Sequence, residues 1–270
     1  QFHRQALEVQ KKVAAASPDS QHEQSRLAIA HRNLAITLWE TGRLTEVESC
    51  FRNELPISEK LAADFPNTLN YRESLADGHH DFGEVLLETD QLPEAESAYR
   101  RAQDIYENLA NEFPGNPGHR WKVDENIRSL GLALLDTGQR SEVEKLVEQS
   151  LVSSEKLVAE FPNVSRYRKS LGWAHGYLGM VRYRAADWNA AVTSLKKCFE
   201  LAADDPEATD CQFFLAMAHW QLGDKDQAQK SYDQAVQWMD KHKPHDQRLR
   251  RFRTEAADLL KVKSGDTDRR

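Results

Sequence analysis

The sequence predicts an all-α fold, a right-handed superhelical solenoid of helix-turn-helix units that ends in a capping helix. A strict period is the first observation, because Pro18, Pro66, Pro114 and Pro162 follow one another at intervals of 48 residues. The second is a longer segment, Leu-x-x-x-Phe-Pro, which ends at the last three of these prolines. A fixed period of this length is typical of stacked helical or strand repeats. No extended apolar alternation accompanies it, so the repeats are predicted to be helical.

Each unit is expected to consist of two amphipathic helices. Residues 93–112 place Ala95, Tyr99, Ala102 and Tyr106 at helical spacing, which predicts one buried stripe. Pro93 fits the first turn of that helix, where its missing N–H costs nothing. The Phe-Pro pairs are predicted to end the second helices, because proline disfavours a helical residue before it. The first helices are predicted to end at a glycine in the left-handed conformation, namely at Gly42, Gly138 and Gly223.

Three polar residues have the spacing of a capping box, in which Ser, Thr or Asp stands three residues before Glu or Gln. They are Thr45, Ser141 and Asp224. We therefore expect the second helices of their units to begin at these residues.

The recurring residues resemble the tetratricopeptide repeat. That signature has Trp-x2-Leu-Gly-x2-Tyr in its first helix and Ala-x3-Phe in its second. Leu178-Gly179 and Leu130-Gly131 supply the Leu-Gly pair, and Ala228-x3-Tyr232 supplies the second motif. The small residues, such as Gly83, Gly131 and Gly179, are expected to let the first helix approach the second. The signature Trp is replaced by histidine, at His31, His79 and His175.

The units are longer than the ordinary repeat of 34 residues, which predicts lengthened helices rather than long loops. In this they resemble the repeats of kinesin light chains. The motif Tyr-Arg-x-Ser-Leu-Ala is also similar to motifs in the repeat arrays that follow Ser/Thr kinase domains in planctomycete bacteria. The expected organisation is a second helix of a truncated repeat, five repeats, a capping helix and a disordered tail. Their ranges are 1–20, 21–68, 69–116, 117–164, 165–208, 209–244, 245–263 and 264–270.

Composition excludes several function classes. The net charge of −7 and the pI near 5.8 argue against general affinity for nucleic acid or an anionic membrane surface. No apolar run approaches the roughly 20 residues that span a bilayer, so we expect no membrane insertion. The three cysteines, Cys50, Cys198 and Cys211, have no paired spacing. We therefore interpret the cysteines as buried, reduced thiols, which predicts a reducing, cytoplasmic compartment.

Catalytic motifs are missing from the sequence. There is no Gly-rich phosphate loop, no His-Arg-Asp loop and no Asp-Phe-Gly motif, so a kinase domain would lie outside this chain. His79 and His80 are adjacent on a helix and point about 100° apart, without a third ligand at fitting spacing. We therefore expect no metal, no cofactor and no enzymatic activity of this chain.

The resemblance implies that the first helix of each unit lines an inner groove, through its positions 2, 5, 6, 9, 12 and 13. Counting these positions predicts a groove that is acidic in the second unit and aromatic toward the C-terminus. The candidate residues are Arg32, Asn33, Trp39, Asp77, His80, Asp81, Glu84, Arg128, Trp173, Tyr177, Met180, Tyr183, Arg184, Phe213, Phe214, Met217 and Trp220.

The resemblance also implies the function, a protein-interaction scaffold that holds a peptide or helix in the groove. It would be part of a larger bacterial signalling protein. Two alternatives stay open. In one, the chain is the substrate-recruiting or regulatory C-terminal region of a Ser/Thr kinase. In the other, it is a structural spacer that self-associates through an open N-terminal face.

Overall fold

A computed structural model describes residues 2–135, 137–202 and 208–261 of the chain. Those residues form twelve helices and no strand, which confirms the all-α prediction. The predicted tail, the last residues of the predicted cap and Asp136 lie outside the described residues. The helices are α1 Phe2–Ala16, α2 Gln21–Glu40, α3 Leu44–Asp64, α4 Leu69–Glu88, α5 Leu92–Glu112, α6 Pro117–Leu134, α7 Arg140–Glu160, α8 Ser165–Arg184, α9 Trp188–Leu201, α10 Thr209–Gln221, α11 Lys225–His242 and α12 Gln247–Leu260.

The chain divides into two compact units, Gln1–Asn126 (unit 1) and Ile127–Arg270 (unit 2). Within unit 1, α2 packs on α3 and α4 on α5, as helical hairpins. Within unit 2, α8 packs on α9 and α10 on α11, while α12 packs against α10. The last contact fits the predicted capping helix, since an array end must cover its apolar face.

Residues with a left-handed backbone follow the ends of the first helices. Gly42, Gly138 and Gly223 have φ of 70°, 83° and 83°, as predicted. Asp90 and Ala186 occupy the same repeat position with φ of 58° and 59°. Both therefore carry a side chain in a conformation that costs L-residues free energy. The backbone turn is retained in these two repeats although the glycine is not.

The helix starts differ in part from the prediction. Asp224 is an N-cap, and its side chain accepts a hydrogen bond from the backbone N–H of Gln227. Thr45 and Ser141 are not caps, because α3 already begins at Leu44 and α7 at Arg140. The backbone supplies the reason, since the left-handed glycine reverses the chain within one residue and the next helix starts at once. Phe65, Phe113 and Phe161 follow the ends of α3, α5 and α7, as the Phe-Pro pairs predict.

Two of the predicted small residues mark close approaches between a first and a second helix. A Cβ at Gly83 would lie 2.6 Å from Cε1 of Tyr99 on α5, and one at Gly179 would lie 2.5 Å from Cγ of Leu195 on α9. Gly131 is different, because the atoms that a Cβ would overlap belong to Tyr177, on the first helix of the next repeat. The close approach shown at Gly131 is therefore one between α6 and α8. The phenol group of Tyr177 fills the space beside Gly131.

Among the described helices, none combines the length and the apolar character needed to cross a bilayer.

Candidate functional site

Two side-chain hydrogen bonds tie α2 to α4 in unit 1. The indole N–H of Trp39 donates to Glu88 Oε2 over 2.9 Å, and the Arg32 guanidinium donates to the carbonyl oxygen of Ser74. The partners are 49 and 42 residues apart, so the two helices run side by side in the same direction. We name the surface formed by their matching repeat positions the α2–α4 face. It consists of Ile29, Asn33, Ile36, Trp39, Asp77, Asp81, Glu84 and Glu88.

Two isoleucines of this face are exposed. Ile29 keeps 50% and Ile36 keeps 48% of its accessible surface. They are seven residues apart on α2, which is about two helical turns, so both lie on the same side of the helix. Sequence reasoning missed them although they occupy inner positions 2 and 9 of the first repeat. The groove predicted from the sequence contains only polar and aromatic residues of this repeat.

Two carboxylates of the α2–α4 face are held by neighbouring tyrosines. The hydroxyl of Tyr106 donates to Asp77 Oδ1 over 2.6 Å, and Lys122 Nζ lies 3.3 Å from the same oxygen. The hydroxyl of Tyr99 donates to Glu84 Oε1 over 2.9 Å. Both tyrosines are buried while the carboxylates stay partly exposed. The acidic groups are therefore fixed in place on the surface.

Asp81 lies on α4 between these two carboxylates in sequence and is half-buried. Burial raises the pKa of its carboxyl to about 6, and the charge of Asp77 adds to the rise. His80, Arg32 and Lys122 act in the opposite direction. At neutral pH Asp81 is still ionised, so Asp77, Asp81 and Glu84 give the α2–α4 face an acidic row.

Arg32 and His80 have internal partners instead of facing a groove. Arg32 pairs with Glu54 of α3 at 2.8 Å, and Glu54 also accepts a hydrogen bond from Ser58 at 2.6 Å. Glu54 is fully buried, and this burial raises its pKa. His80 is buried, and its Nδ1 lies 3.0 Å from Oδ1 of Asn126. Both side chains therefore stabilise unit 1 through these contacts, and their part in ligand binding stays a prediction.

In unit 2 the predicted aromatic groove is largely core. Five of its residues are buried: Tyr177, Met180, Phe213, Phe214 and Met217. Their neighbours differ, because the Phe252 ring of α12 lies 5.0 Å from that of Phe214, the Phe213 ring lies 6.1 Å from that of Tyr232 on α11, and Tyr177 lies against Gly131 of α6. Tyr183 packs edge-on against Phe214 from the other side, at 5.4 Å. These side chains fill the space between α8, α10 and α12, and a ligand cannot reach the buried five.

The remaining candidates of unit 2 are partly exposed and engage neighbouring charges. The Arg128 guanidinium lies 5.2 Å from the ring centroid of Trp173, and Lys225 Nζ lies 5.2 Å from that of Trp220. Arg184 forms an ion pair with Glu255 of α12, with Nη2 to Oε2 at 2.8 Å. Arg184 thereby helps to fix the cap. Trp173, Tyr183 and Trp220 are the candidate aromatic residues that stay partly exposed.

No group of three or more His, Cys, Asp or Glu side chains within 2–135, 137–202 and 208–261 could hold a metal ion. The acidic row therefore has the chemistry of a surface for cationic groups rather than of a metal centre. Asp77 and Glu84 accept hydrogen bonds from tyrosine hydroxyls, which leaves some of their acceptor capacity open to solvent.

Two segments of the chain match known repeats. Residues 28–53, within α2 and α3, and residues 209–241, covering α10 and most of α11, each match a tetratricopeptide repeat model. No curated protein matches the chain by sequence.

Solved structures share the fold at low identity. BtubC (BKLC) from P. vanneervenii is 15% identical with a TM-score of 0.59, over 88% of each chain. The Rap conjugation gene regulator of plasmid pLS20, in complex with the Phr* peptide, is 15% identical with a TM-score of 0.62, over 89% of this chain and 62% of that one. A Rap protein complexed with Competence and Sporulation Factor is 14% identical with a TM-score of 0.59, over 90% and 65%.

The repeat matches, the helical hairpins and these similarities agree with one another. The chain is an all-α tetratricopeptide repeat array of the solenoid class.

Proposed function

We propose that this chain is a non-catalytic interaction scaffold that binds a peptide or helix on the α2–α4 face of unit 1. The single observation that carries the proposal is the pair of exposed isoleucines, Ile29 and Ile36, on the helix beside the acidic row. Water-exposed apolar residues on one side of a helix are favourable to cover, and aliphatic anchors with nearby charges are typical of binding surfaces.

The same surface suggests the chemistry of the partner. Three partly exposed carboxylates lie along α4, those of Asp77, Asp81 and Glu84. The pKa of Asp81 is raised. A segment with two apolar side chains and nearby Lys or Arg residues would complement this arrangement. The acidic row would steer such a segment toward the face, while the isoleucines would contribute contact area.

The solved structures lend support to a peptide partner. Two of the similar Rap structures are complexes, one with the Phr* peptide and one with Competence and Sporulation Factor. Because the identities are 15% and 14%, the likeness concerns the fold alone. It supports a peptide-sized ligand as a class and carries no information on its sequence.

A random peptide library displayed on phage tests the proposal. We expect selected peptides to combine large apolar residues with Lys or Arg, and to lose binding to Ile36→Asp. Val152→Asp is the matched control, since Val152 on α7 keeps 46% of its surface, close to the value of Ile36. Selected peptides that bind Ile36→Asp as well as the unaltered chain would overturn the assignment. A pull-down from the native organism would then identify the natural partner.

A second candidate is self-association through the N-terminal helix. Phe2 and Val9 on α1 keep 86% and 62% of their accessible surface, and they lie seven residues apart on one side of the helix. A spacer role would use this apolar face between copies. Sedimentation of the chain and of the Phe2→Ser/Val9→Ser variant tests it. A concentration-dependent dimer that the variant loses would favour the spacer, and a monomer at all concentrations would exclude it.

The wider context is also a proposal. Starting from the resemblance to kinase-associated arrays, we propose that the chain belongs to a bacterial signalling protein, in which it would recruit substrates. The three free, buried cysteines are compatible with a reducing, cytoplasmic compartment. Sequence encoded upstream in the same reading frame decides the kinase role, because a kinase catalytic loop there is its direct requirement.

A further inference from the structure

Two of the three cysteines are in contact inside unit 2. Cys198 on α9 and Cys211 on α10 have their Sγ atoms 3.8 Å apart, and both residues are completely buried. The third, Cys50, lies on α3 in unit 1. The two contacting residues are separated by only 13 positions along the chain. Neither the interaction surface nor the repeat packing requires a thiol at either position, since the equivalent space elsewhere in the array holds other side chains.

The surroundings hold the two sulfurs together. Gly176 of α8 lies against them, and a Cβ at this residue would be 2.5 Å from Cys211 Sγ and 3.0 Å from Cys198 Sγ. Any side chain at position 176 would therefore overlap the pair. The two thiols together fill the space next to the Cα of Gly176. Each sulfur consequently has the other as a close neighbour.

We propose that Cys198 and Cys211 are a redox modification site, at which the two thiols close to an intramolecular disulfide. A disulfide has a sulfur–sulfur distance of about 2.05 Å, so the sulfurs must approach each other by roughly 1.8 Å. Rotation of the two short side chains about χ1 can supply a movement of this size, because both sulfurs lie at the ends of single rotatable bonds.

The reaction uses a small oxidant, a hydroperoxide such as hydrogen peroxide. One thiolate attacks a peroxide oxygen, the O–O bond breaks, and a sulfenic acid and water form after proton transfer. The second thiol attacks that sulfur, the S–O bond breaks, and a second water leaves. In sum two thiols and one hydrogen peroxide give one disulfide and two waters. A molecule of this size suits a buried site better than a bulky disulfide reagent does.

The site is expected to react slowly. The contact with Cys198 and burial both raise the pKa of the Cys211 thiol, and the thiolate is the reactive form. Oxidation should therefore accelerate with pH and with local opening of α9 from α10. Once formed, the bond would join two helices of unit 2 and limit their separation in the unfolded chain. The oxidised protein should unfold at a higher denaturant concentration than the reduced one.

Mass spectrometry after peroxide treatment tests the proposal. The folded Cys50→Ser chain is incubated with hydrogen peroxide, quenched in acid, unfolded, alkylated with N-ethylmaleimide and digested. We expect a linked peptide pair that contains Cys198 and Cys211 and has lost two hydrogen atoms, and dithiothreitol should return both thiols. Recovery of both residues as alkylated thiols, or as sulfinic acids without a linked pair, would overturn the proposal.

Two variants separate the proposal from indirect effects. Cys198→Ser leaves one thiol in unit 2, so it should form no linked peptide and gain no resistance to urea on peroxide treatment. The unaltered chain carries Cys50 as an internal control, and this buried cysteine should not join the disulfide. A linked pair that includes Cys50 would contradict the assigned site. Because the linked peptide is read from the Cys50→Ser chain, the test stands even if Cys198→Ser fails to fold.

Discussion

The indole N–H of Trp39 donates a hydrogen bond to Glu88 Oε2 across 2.9 Å, which joins α2 to α4. Arg32 makes the second tie through the carbonyl oxygen of Ser74, and it also pairs with Glu54, which is fully buried on α3. These bonds fix the exposed isoleucines of α2 beside the acidic row of α4 before any ligand binds. A binding surface that is already ordered loses less conformational entropy on association. The α2–α4 face therefore has the rigidity that the proposed function needs.

Replacing Gly83 by alanine should destabilise unit 1. The new Cβ would lie 2.6 Å from Cε1 of Tyr99, a buried ring that also donates a hydrogen bond to Glu84. Overpacking of this kind costs about 1–3 kcal/mol. Urea unfolding measures the loss, and Gly115→Ala is the control, since a Cβ there meets no atom within 4 Å. Equal unfolding midpoints for both variants would contradict the close approach of α4 and α5.

Replacing Ala186 by glycine should stabilise unit 2. Ala186 has a φ of 59°, in the left-handed region that glycine adopts without a Cβ clash. We expect a gain of about 0.5–1 kcal/mol, reduced from the full steric cost by the larger chain entropy of unfolded glycine. The reciprocal variant is Gly138→Ala, at the same repeat position with φ of 83°, and it should lose stability. Changes of the same sign in the two variants would argue against this account of the turn.

Much of the fold could be predicted because the repeat multiplies each local signal. The period of the prolines and the glycines at helix ends predicted the helices and their turns, with Gly42, Gly138 and Gly223 in the left-handed region. The first turns of α3 and α7 could not be predicted from side-chain caps. There the backbone supplies the hydrogen bonds, as in Val47 N–H to the carbonyl of Arg43.

The candidate site was predicted less well, because helical position does not determine exposure. Phe213 and Phe214 have the spacing of groove residues, yet Phe214 packs against α12 and Phe213 against Tyr232 of α11 in the folded chain. Burial by a distant segment is a tertiary effect that a local count does not contain. Ile29 and Ile36 lie at inner positions of the first repeat and stay exposed, and no expectation from the sequence named them.

Asp81→Asn should make unit 1 less sensitive to pH. The pKa of Asp81 is raised from 3.8 to about 6, so the folded state binds its proton more tightly than the unfolded state. The stabilisation from that proton is fully present below about pH 4 and is lost as the pH rises through about 6. At pH 7.5 the variant should therefore gain about 1–2 kcal/mol over the unaltered chain, and the gain should vanish near pH 3.5.

Urea unfolding at several pH values measures this difference. The exposed Asp104 on α5 offers a control, because Asp104→Asn should show no comparable dependence on pH. A gain at pH 7.5 that persists unchanged at pH 3.5 would mean that the carboxylate charge of Asp81 is not its cause.

Arg248→Met should loosen the capping helix. The Arg248 guanidinium lies 2.7 Å from Asp210 Oδ2 and 3.7 Å from Asp246 Oδ2, and all three residues are buried. Removing the cation leaves buried carboxylates without their counter-ion, which costs about 3–5 kcal/mol. The free energy of unfolding of unit 2 should fall accordingly. Asp210→Asn in the same chain should recover part of the loss, and a fully additive second loss would contradict the ion pair.

The affinity of a selected peptide for three versions of the chain tests the central claim most directly. Isothermal titration calorimetry would compare the unaltered chain with Ile36→Asp and with Val152→Asp, all shown by circular dichroism to be folded. Loss of an anchor costs at least about 2 kcal/mol, so Ile36→Asp should weaken binding roughly 30-fold while Val152→Asp leaves it unchanged. Unchanged affinity for Ile36→Asp, or an equal loss in both variants, would contradict binding on the α2–α4 face.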